Sequence, residues 1–423
     1  MSILTSLALS IGGTDVAALA ESVYTAALLA SLLVAVAVMA SSMLRRAGAS
    51  AEARSLLWRS TVVSMLAVFI GRQHPLHWIA VVVPSALAAP IVALGRARMI
   101  ISGAPIPGAA VSGDLTASAT SAIAAVRALV VVYLAGVVVV LVPTIVFSIR
   151  ARRRLTSARL VTDDRWMSIL EGTRGTLGVA RRVRLYVDDA ATVPMTWGVL
   201  RPIVVLPTVA LDWCESQLRI VLLHELGHVR AGDWTFRVLS RVVCALYWFH
   251  PASWWVARNL RDDCELSCDD RVIAAGVRRS DYAELLVTAA EVLRGAPAVE
   301  ALALSERGGL RARLAAILDV GHVSRPLRRE WAAAAVAATL ALVCPASAVQ
   351  LAPTRDVLTT LMRDARWESR AYAVMGLAQR ADSIAEARSA AEADPSPRVR
   401  AWARFALGES TPSSAARAII REH

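Results

Sequence analysis

The sequence predicts a multi-pass α-helical membrane protein that carries a mainly helical α+β domain and a C-terminal α-helical repeat region. Apolar residues form 56% of the 423 residues, charged residues form only 19%, and the mean hydropathy is +0.51, which is too apolar for a soluble chain of this length. Apolar runs of membrane-spanning length recur along the chain. A period of 30 residues occurs near the C-terminus.

Four apolar segments are predicted to span the membrane. Three lie in the N-terminal membrane region, residues 1–150, and one precedes the C-terminal region: they are residues 24–43, 57–72, 126–147 and 331–349. The stretch 76–94, which contains Pro84 and Pro90, is either an interfacial or re-entrant segment or a further span. The distribution of arginine favours an interfacial or re-entrant segment.

Arginines predict the orientation of the spans. No Lys or Arg precedes Tyr24, arginines follow the first span, and further arginines gather at residues 150–159 and 325–329. Because positive residues mark the cytosolic side, the N-terminus is predicted outside and the domain of residues 151–330 in the cytosol. Residues 350–423 are predicted outside the inner or plasma membrane. This arrangement requires an odd number of spans before the domain.

A metal-binding pattern, HELGH, begins at His224. Two histidines four residues apart project from one face of a helix, so His224 and His228 can reach one metal ion, and Glu225 lies close enough to act as general base. The helix is predicted by a capping box at Asp212 and Glu215 and by the apolar residues that follow. The sequence therefore predicts a metal site on a buried helix.

A second helix is predicted to supply the third ligand. A hydrolytic zinc site usually has three protein ligands and one open position. The segment from Pro251 to residue 275 begins with a proline typical of a helix start and stops before a glycine. On it, Glu265 is the candidate ligand, and Asp269 on the same face is predicted to hydrogen-bond a ligand imidazole. Alternatively, Asp269 forms a salt bridge with Arg261 or Arg271.

Three further features allow two interpretations each. Asp233 either caps a helix that begins at Trp234 or contributes to the site. Tyr282 either packs in the core, which is the favoured interpretation, or stabilises an oxyanion. The strand at residues 203–206 is either an edge strand that pairs with an extended substrate or a core strand.

Several separated motifs occur together in a fixed order. They are PMTWG at 194–198, RPIVVLP at 201–207, HELGH with Asp233, WFHP at 248–251 and ELSCD at 265–269. In these motifs the chain resembles, over residues 20–349, the membrane zinc metallopeptidases of the BlaR/MecR antirepressor type, whose catalytic domain is gluzincin-like.

The resemblance implies a site and a substrate class. It implies one Zn²⁺ per chain, bound by His224, His228 and Glu265, with Glu225 as the catalytic base. The implied substrate is a cytosolic protein, such as a small winged-helix repressor of the BlaI/MecI type, or the chain's own loop before the last span. A second hypothesis is a membrane scaffold or sensor with a non-catalytic zinc domain. Glu225 argues against it, because a closed structural zinc site needs no base.

The C-terminal region, residues 350–423, departs from the family pattern. The 30-residue period aligns Asp364 with Asp394 and Arg370 with Arg400, and the second copy looks like a HEAT repeat. We expect this region to bind an unknown ligand or protein in place of a penicillin-binding sensor domain. The chain contains no lysine, which excludes the S-x-x-K motif of such domains.

Charge and cysteine usage limit the other function classes. The net charge of +12 comes from arginines, many of them at the ends of spans, so direct binding of nucleic acid is not expected. Four of the five cysteines lie in the predicted cytosolic domain, where disulfides are not expected. Cys264 and Cys268, one helical turn apart, are interpreted as buried small apolar groups rather than a second metal site.

Overall fold

The chain is described by a computed structural model in which helices dominate. The described residues are 13–71, 79–83, 92, 113–156, 158–294, 307–319, 349–380 and 383–409. They fall into two compact units, one drawn from residues 1–30, 67–136 and 342–423, the other from residues 31–66 and 137–341. The predicted domain boundaries after residues 150, 330 and 349 stay predictions.

Three long helices contain the candidate membrane spans of the described residues. The helices are α1 (Gly13–Arg46), α2 (Ala51–Gly71) and α3 (Gly113–Arg154). Their apolar segments of spanning length are Leu19–Arg46, Ala51–Gly71 and Arg127–Arg153. These segments overlap the predicted spans 24–43, 57–72 and 126–147. Large apolar side chains of α3 such as Val139 and Phe147 are exposed, as expected for a helix that faces lipid.

The predicted span 331–349 and the stretch 76–94 are only partly described by the structure. The predicted span 331–349 lies outside the described residues except for Val349, which begins a strand. That strand, β6 (Val349–Pro353), pairs in parallel with β1 (Ile79–Val83). Because β1 is extended, a second helix does not run uninterrupted through residues 76–94.

A four-stranded sheet forms one layer of the second unit. Its strands are β2 (Arg159–Leu160), β3 (Arg184–Asp188), β4 (Met195–Trp197) and β5 (Ile203–Pro207), in the spatial order β2-β3-β5-β4. β5 runs parallel to β3 and antiparallel to β4. All five residues of β5 are buried, so residues 203–206 form a core strand and the edge-strand interpretation is wrong. The edge position beside β5 belongs to β4.

Among the described residues, six further helices and one 3₁₀ turn lie wholly within the second unit. They are α4 (Asp164–Leu177), the 3₁₀ turn Thr208–Asp212, α5 (Glu215–Ala231), α6 (Asp233–Leu246), α7 (Pro251–Ala274), α8 (Arg279–Arg294) and α9 (Arg307–Leu318). α5 is central, because it packs against α4, α7 and β4. Its buried residues Leu222, Leu223 and Leu226 join β5 and α4 in one core. This burial makes α5 a fixed support for its polar residues.

The start of α5 differs from the prediction. Its N-cap is Cys214, whose backbone N–H donates to the side-chain oxygen of Gln217 over 3.1 Å. Asp212 instead ends the 3₁₀ turn, and the capping box predicted at Asp212 and Glu215 is wrong. The apolar pattern predicted the helix correctly. Because a 3₁₀ turn precedes it, the helix begins later in the chain than the predicted capping box implied.

The helix predicted from Pro251 is present as α7. Pro251 occupies its first turn, where a missing N–H costs no helical hydrogen bond, and the chain leaves the helix through Gly276 at φ 87°. α5 ends in a similar way at Gly232, at φ 69°, and α6 begins at the next residue. This sharp turn brings the start of α6 close to the end of α5.

In the part of the chain that the structure describes, the C-terminal portion of the first unit contains four short helices. They are α10 (Arg355–Leu361), α11 (Trp367–Ala378), α12 (Ile384–Ala393) and α13 (Pro397–Ala406). A guanidinium N–H of Arg370 donates to the carbonyl oxygen of Asp364 over 2.9 Å, and Arg400 donates to that of Asp394 over 2.7 Å. The 30-residue period therefore recurs in local geometry, and the HEAT assignment stays a prediction.

Candidate metal centre

Helices α5 and α7 bring three metal-binding side chains together. His224 and His228 project from α5, and Glu265 projects from α7. One ligand atom from each lies within 4.8 Å of the other two. Nε2 of His224 is 3.5 Å from Oε2 of Glu265, and Nε2 of His228 is 3.7 Å from Oε1 of Glu265. The three side chains predicted as ligands thus converge.

A small contact between the two helices permits this convergence. Gly227, inside the HELGH segment, faces Cys268 of α7, and a Cβ atom at residue 227 would lie 3.1 Å from the Cys268 Sγ atom. Cys268 itself is fully buried. Alanine at residue 227 would therefore require Cys268 or the two helices to shift by a few tenths of an ångström.

The donor set and its spacing fit a zinc ion. Two imidazoles and one carboxylate form a typical set for catalytic zinc, whereas calcium and magnesium prefer oxygen ligands. Metal–ligand bonds of about 2.1 Å in a tetrahedron give edges of about 3.4 Å. The two N···O distances, 3.5 Å to Oε2 and 3.7 Å to Oε1 of the same carboxylate, are each close to that edge length. The residues present therefore suit a metal ion of this kind.

The Nδ1 atom of His228 is held by Asp233, the first residue of α6. Oδ2 of Asp233 is 2.6 Å from His228 Nδ1, and its other oxygen accepts an N–H from Arg59. Burial raises the pKa of Asp233, but His228 and Arg59 outweigh burial and hold that pKa below its ordinary value. The N-cap of α6 is Gly232, so Asp233 is not the cap of a helix that begins at Trp234.

The Nδ1 atom of His224 also has polar neighbours, one on α8 and one on α7. The hydroxyl oxygen of Tyr282 lies 2.9 Å from His224 Nδ1, and the same hydroxyl donates to Oδ1 of Asp269 over 2.5 Å. Oδ1 of Asp269 is itself 3.3 Å from His224 Nδ1. Tyr282 is 1% exposed and belongs to the buried core, which confirms the packing interpretation, and its hydroxyl in addition contacts the two side chains named above.

Asp269 has an arginine partner that was not foreseen. Arg313 of α9 donates two hydrogen bonds of 2.7 Å to its two carboxylate oxygens, and a third N–H group lies 3.1 Å from Oε2 of Glu265. The alternative pairing of Asp269 with Arg261 or Arg271 is wrong, and Arg271 pairs with Glu52 over 2.9 Å. Arg313 therefore connects the carboxylate beside His224 with the candidate ligand Glu265.

These neighbouring charged groups shift the pKa values of His224 and Glu265. Burial lowers the pKa of His224, but hydrogen bonds to Asp269 and Glu265 outweigh burial and raise that pKa to about 10. Burial likewise raises the pKa of Glu265, and the nearby His228, His224 and Arg313 bring it well below its ordinary value. Glu265 is therefore held as a carboxylate. A metal ion that binds His224 must displace its proton, because only neutral imidazole is a ligand.

Glu225 is buried beside the two histidines and contacts the edge strand. Its Oε2 atom accepts a hydrogen bond of 2.7 Å from the hydroxyl of Thr196 on β4, which also lies 3.1 Å from the Glu225 carbonyl oxygen. Thr196 belongs to the PMTWG motif, which the sequence singled out without a role for this hydroxyl. The contact fixes the carboxylate of Glu225 relative to β4.

Comparison with known proteins places these features in a family. The family model described as "BlaR1 peptidase M56" matches residues 22–317. The regulatory protein BlaR1 of Bacillus licheniformis is 25% identical over 142 residues, which cover 34% of this chain and 24% of that protein. The methicillin resistance mecR1 proteins of Staphylococcus aureus and Staphylococcus epidermidis are 35% identical over 81 residues, 19% of this chain and 14% of theirs. The alignments thus cover a quarter or less of each relative.

Proposed function

This chain belongs to the BlaR1 peptidase M56 family, and we propose that it is an integral membrane zinc metalloendopeptidase that transduces a signal by cleaving a cytosolic protein or itself. One observation supports this proposal above all others. The Nε2 atoms of His224 and His228 face Glu265, while both Nδ1 atoms are occupied by a carboxylate or a hydroxyl. Such supports keep a proton on Nδ1 of each ring, so Nε2 is the atom that binds a metal ion, which at His224 displaces the Nε2 proton.

The proposed ligands are His224, His228 and Glu265. Zinc held by them would act as a Lewis acid that polarises the scissile carbonyl group and makes water more acidic. The protein's part in the proton transfer is assigned to Glu225. Its Oε2 atom is engaged by Thr196, so we assign Oε1 as the atom that accepts the proton of the attacking water and delivers it to the leaving amine.

The edge strand β4 is the proposed docking strand for substrate. Thr196 of β4 contacts the carboxylate of Glu225, and among the described residues β4 pairs with another strand, β5, on one side only. An extended peptide that adds to the other side of β4 would bring its backbone close to Glu225. This arrangement assigns to β4 the substrate role that the sequence offered to residues 203–206.

The remaining parts of the proposal concern orientation and partners. We propose that the metal centre faces the cytosol, that residues 350–423 lie outside, and that the HEAT-like repeats bind a ligand or protein. The name of the Bacillus licheniformis relative describes a regulatory protein. By analogy, a winged-helix repressor of the BlaI/MecI type is the proposed substrate. The arginine distribution and the 30-residue period support these assignments.

The experiment that tests the proposal uses the full chain in nanodiscs. Zinc content and cleavage, including self-cleavage and cleavage of a purified BlaI-type repressor, are measured for wild type and for His224→Ala. We expect about one zinc ion per wild-type chain, cleavage by wild type, and loss of both in the variant. A chain that binds zinc but cuts neither itself nor the repressor would support the scaffold hypothesis. A chain that binds no zinc would contradict the metal site.

A further inference from the structure

Helix α2 carries three charged residues that pair with the metal-binding part of the second unit. Glu52 lies 2.9 Å from Arg271, Arg54 lies 2.8 Å from Asp263, and Arg59 pairs with Asp233. α2 is also one of the candidate membrane spans. Charged residues inside such helices are costly and usually have a specific function. The pairing partners of all three lie on α6 or α7, the helices that follow the HELGH segment.

Arg59 makes the contact nearest to the metal ligands. One guanidinium N–H group donates to the carbonyl oxygen of Ala231 over 2.6 Å, and another donates to Oδ1 of Asp233. Ala231 is the last residue of α5 and Asp233 is the first residue of α6. The guanidinium also lies over the ring of Phe236, 5.0 Å from its centroid. Arg59 thus holds both sides of the turn between the two helices.

The contact continues directly to a ligand. Asp233 offers Oδ1 to Arg59 and Oδ2 to Nδ1 of His228, and the Asp233 side chain is only 6% exposed. A buried carboxylate with two such partners has one preferred orientation, because moving it would leave a charge unpaired. The position of Arg59 therefore influences the orientation of the His228 ring.

The rest of α2 attaches this arginine to the same unit. Trp58, Val62 and Met65 of α2 are almost fully buried, and the Trp58 indole N–H donates to Oδ2 of Asp263 over 3.0 Å. The Tyr247 hydroxyl donates to the carbonyl oxygen of Met65 over 3.0 Å. A shift or rotation of α2 would consequently move Arg59 relative to Asp233.

We propose that Arg59 is a positioning residue of the metal centre, which couples the candidate membrane helix α2 to His228 through Asp233. This inference rests on the proposed metal site. It identifies a physical route by which a change in the membrane region alters the site. Withdrawal of Arg59 loosens Asp233, frees the His228 ring and weakens metal binding.

The test measures metal binding by the full chain in nanodiscs rather than cleavage. Co²⁺ and Zn²⁺ are the probes: affinity is obtained by competition with a chelator, and the Co²⁺ absorption spectrum reports ligand geometry. Loss of a group that orients a ligand typically weakens metal binding by about 10-fold to 100-fold. We expect Arg59→Ala to weaken binding by about 10-fold and to change the spectrum, and Arg59→Lys to restore part of the loss.

Two comparisons separate positioning from general packing. Arg54→Ala is the matched control, because it removes an equivalent ion pair from the same helix without touching a partner of a ligand. We expect its metal affinity to stay within about 2-fold of wild type. If Arg59 acts through Asp233, the double variant Arg59→Ala, Asp233→Asn should bind metal no more weakly than Asp233→Asn alone.

Three outcomes would overturn the inference. They are wild-type affinity and spectrum in Arg59→Ala, additive losses in the double variant, and a loss in Arg54→Ala equal to that in Arg59→Ala. In each of these cases the wild type still binds metal, so the proposed metal site, on which the proposed function depends, stands. A wild type that binds neither ion refutes the metal site first and this inference with it, so the two failures are distinguishable.

Discussion

Oδ2 of Asp233 lies 2.6 Å from Nδ1 of His228, across the turn that separates α5 from α6. Gly232 makes this contact possible, because its φ of 69° allows α6 to begin one residue after the glycine and to return toward α5. The backbone conformation at Gly232 therefore allows a carboxylate only five residues after His228 to reach its imidazole ring. An equivalent support for His224 comes from Tyr282 and Asp269 on separate helices.

The hydroxyl of Tyr282 is expected to act on the metal centre. Tyr282→Phe keeps the buried ring but removes the bonds to His224 and Asp269. We predict about 10-fold weaker zinc binding, measured by chelator competition. The control is Tyr186→Phe, which removes the hydroxyl of a half-buried tyrosine on β3 that packs beside another core cluster. Equal zinc affinities in Tyr282→Phe and wild type would show that Tyr282 only packs in the core and does not support the metal centre.

Arg313 is expected to stabilise the fold through Asp269. Arg313→Ala leaves a carboxylate that is 3% exposed without its guanidinium partner, and breaking such a buried pair costs about 3 kcal/mol. Chemical denaturation of the chain in detergent measures this loss. Arg311→Ala, at an exposed position of the same helix, should leave the free energy of unfolding within about 0.5 kcal/mol of wild type. Similar stabilities of Arg313→Ala and Arg311→Ala would contradict the prediction.

The small size of residue 227 is expected to be essential. Gly227→Ala places a Cβ atom 3.1 Å from the Sγ atom of Cys268, and overpacking of this kind costs about 2 kcal/mol. The free energy of unfolding and the zinc affinity should both fall. Cys268→Ala in the same chain removes the Sγ atom and should recover part of the stability. A double variant no more stable than Gly227→Ala would show that this contact is not the cause.

Acid is expected to destabilise the chain through His250. Burial lowers the pKa of His250 below its ordinary value of 6.5, so the neutral ring is favoured in the folded state. The associated stability is present above pH 6.5 and is lost as the pH falls below that value. Thermal unfolding between about pH 5 and pH 8 should show a smaller acid-induced decrease for His250→Gln, which can still bond Ser31, than for wild type. Parallel decreases in the two chains would exclude this contribution.

Local pattern was sufficient for the parts of the site that lie within single helices. The spacing of His224 and His228, and that of Glu265 and Asp269, follows directly from 3.6 residues per turn. The sequence also indicated where α7 begins and ends, because proline and glycine have specific positions at helix ends. These features depend on residues close together in the chain.

The supports contributed by distant elements were not predictable from the sequence. Arg59 is 174 residues from Asp233, and Arg313 is 44 residues from Asp269. In the sequence, Arg59 resembles the many arginines near span ends, and nothing marks Arg313. Pairings of this kind depend on tertiary packing. The same reason explains β5: its apolar residues indicated a strand, but its interior place depends on how β3 and β4 pair with it.

The most direct test of the central claim is Glu225→Gln in the full chain, with zinc content and cleavage measured on the same nanodisc sample. The substitution keeps the size of the side chain and leaves the three proposed ligands in place, but it removes the base. We predict about one zinc ion per chain, as in wild type, with cleavage slowed by at least about 100-fold. Cleavage at the wild-type rate by the zinc-loaded variant would contradict the account of the site.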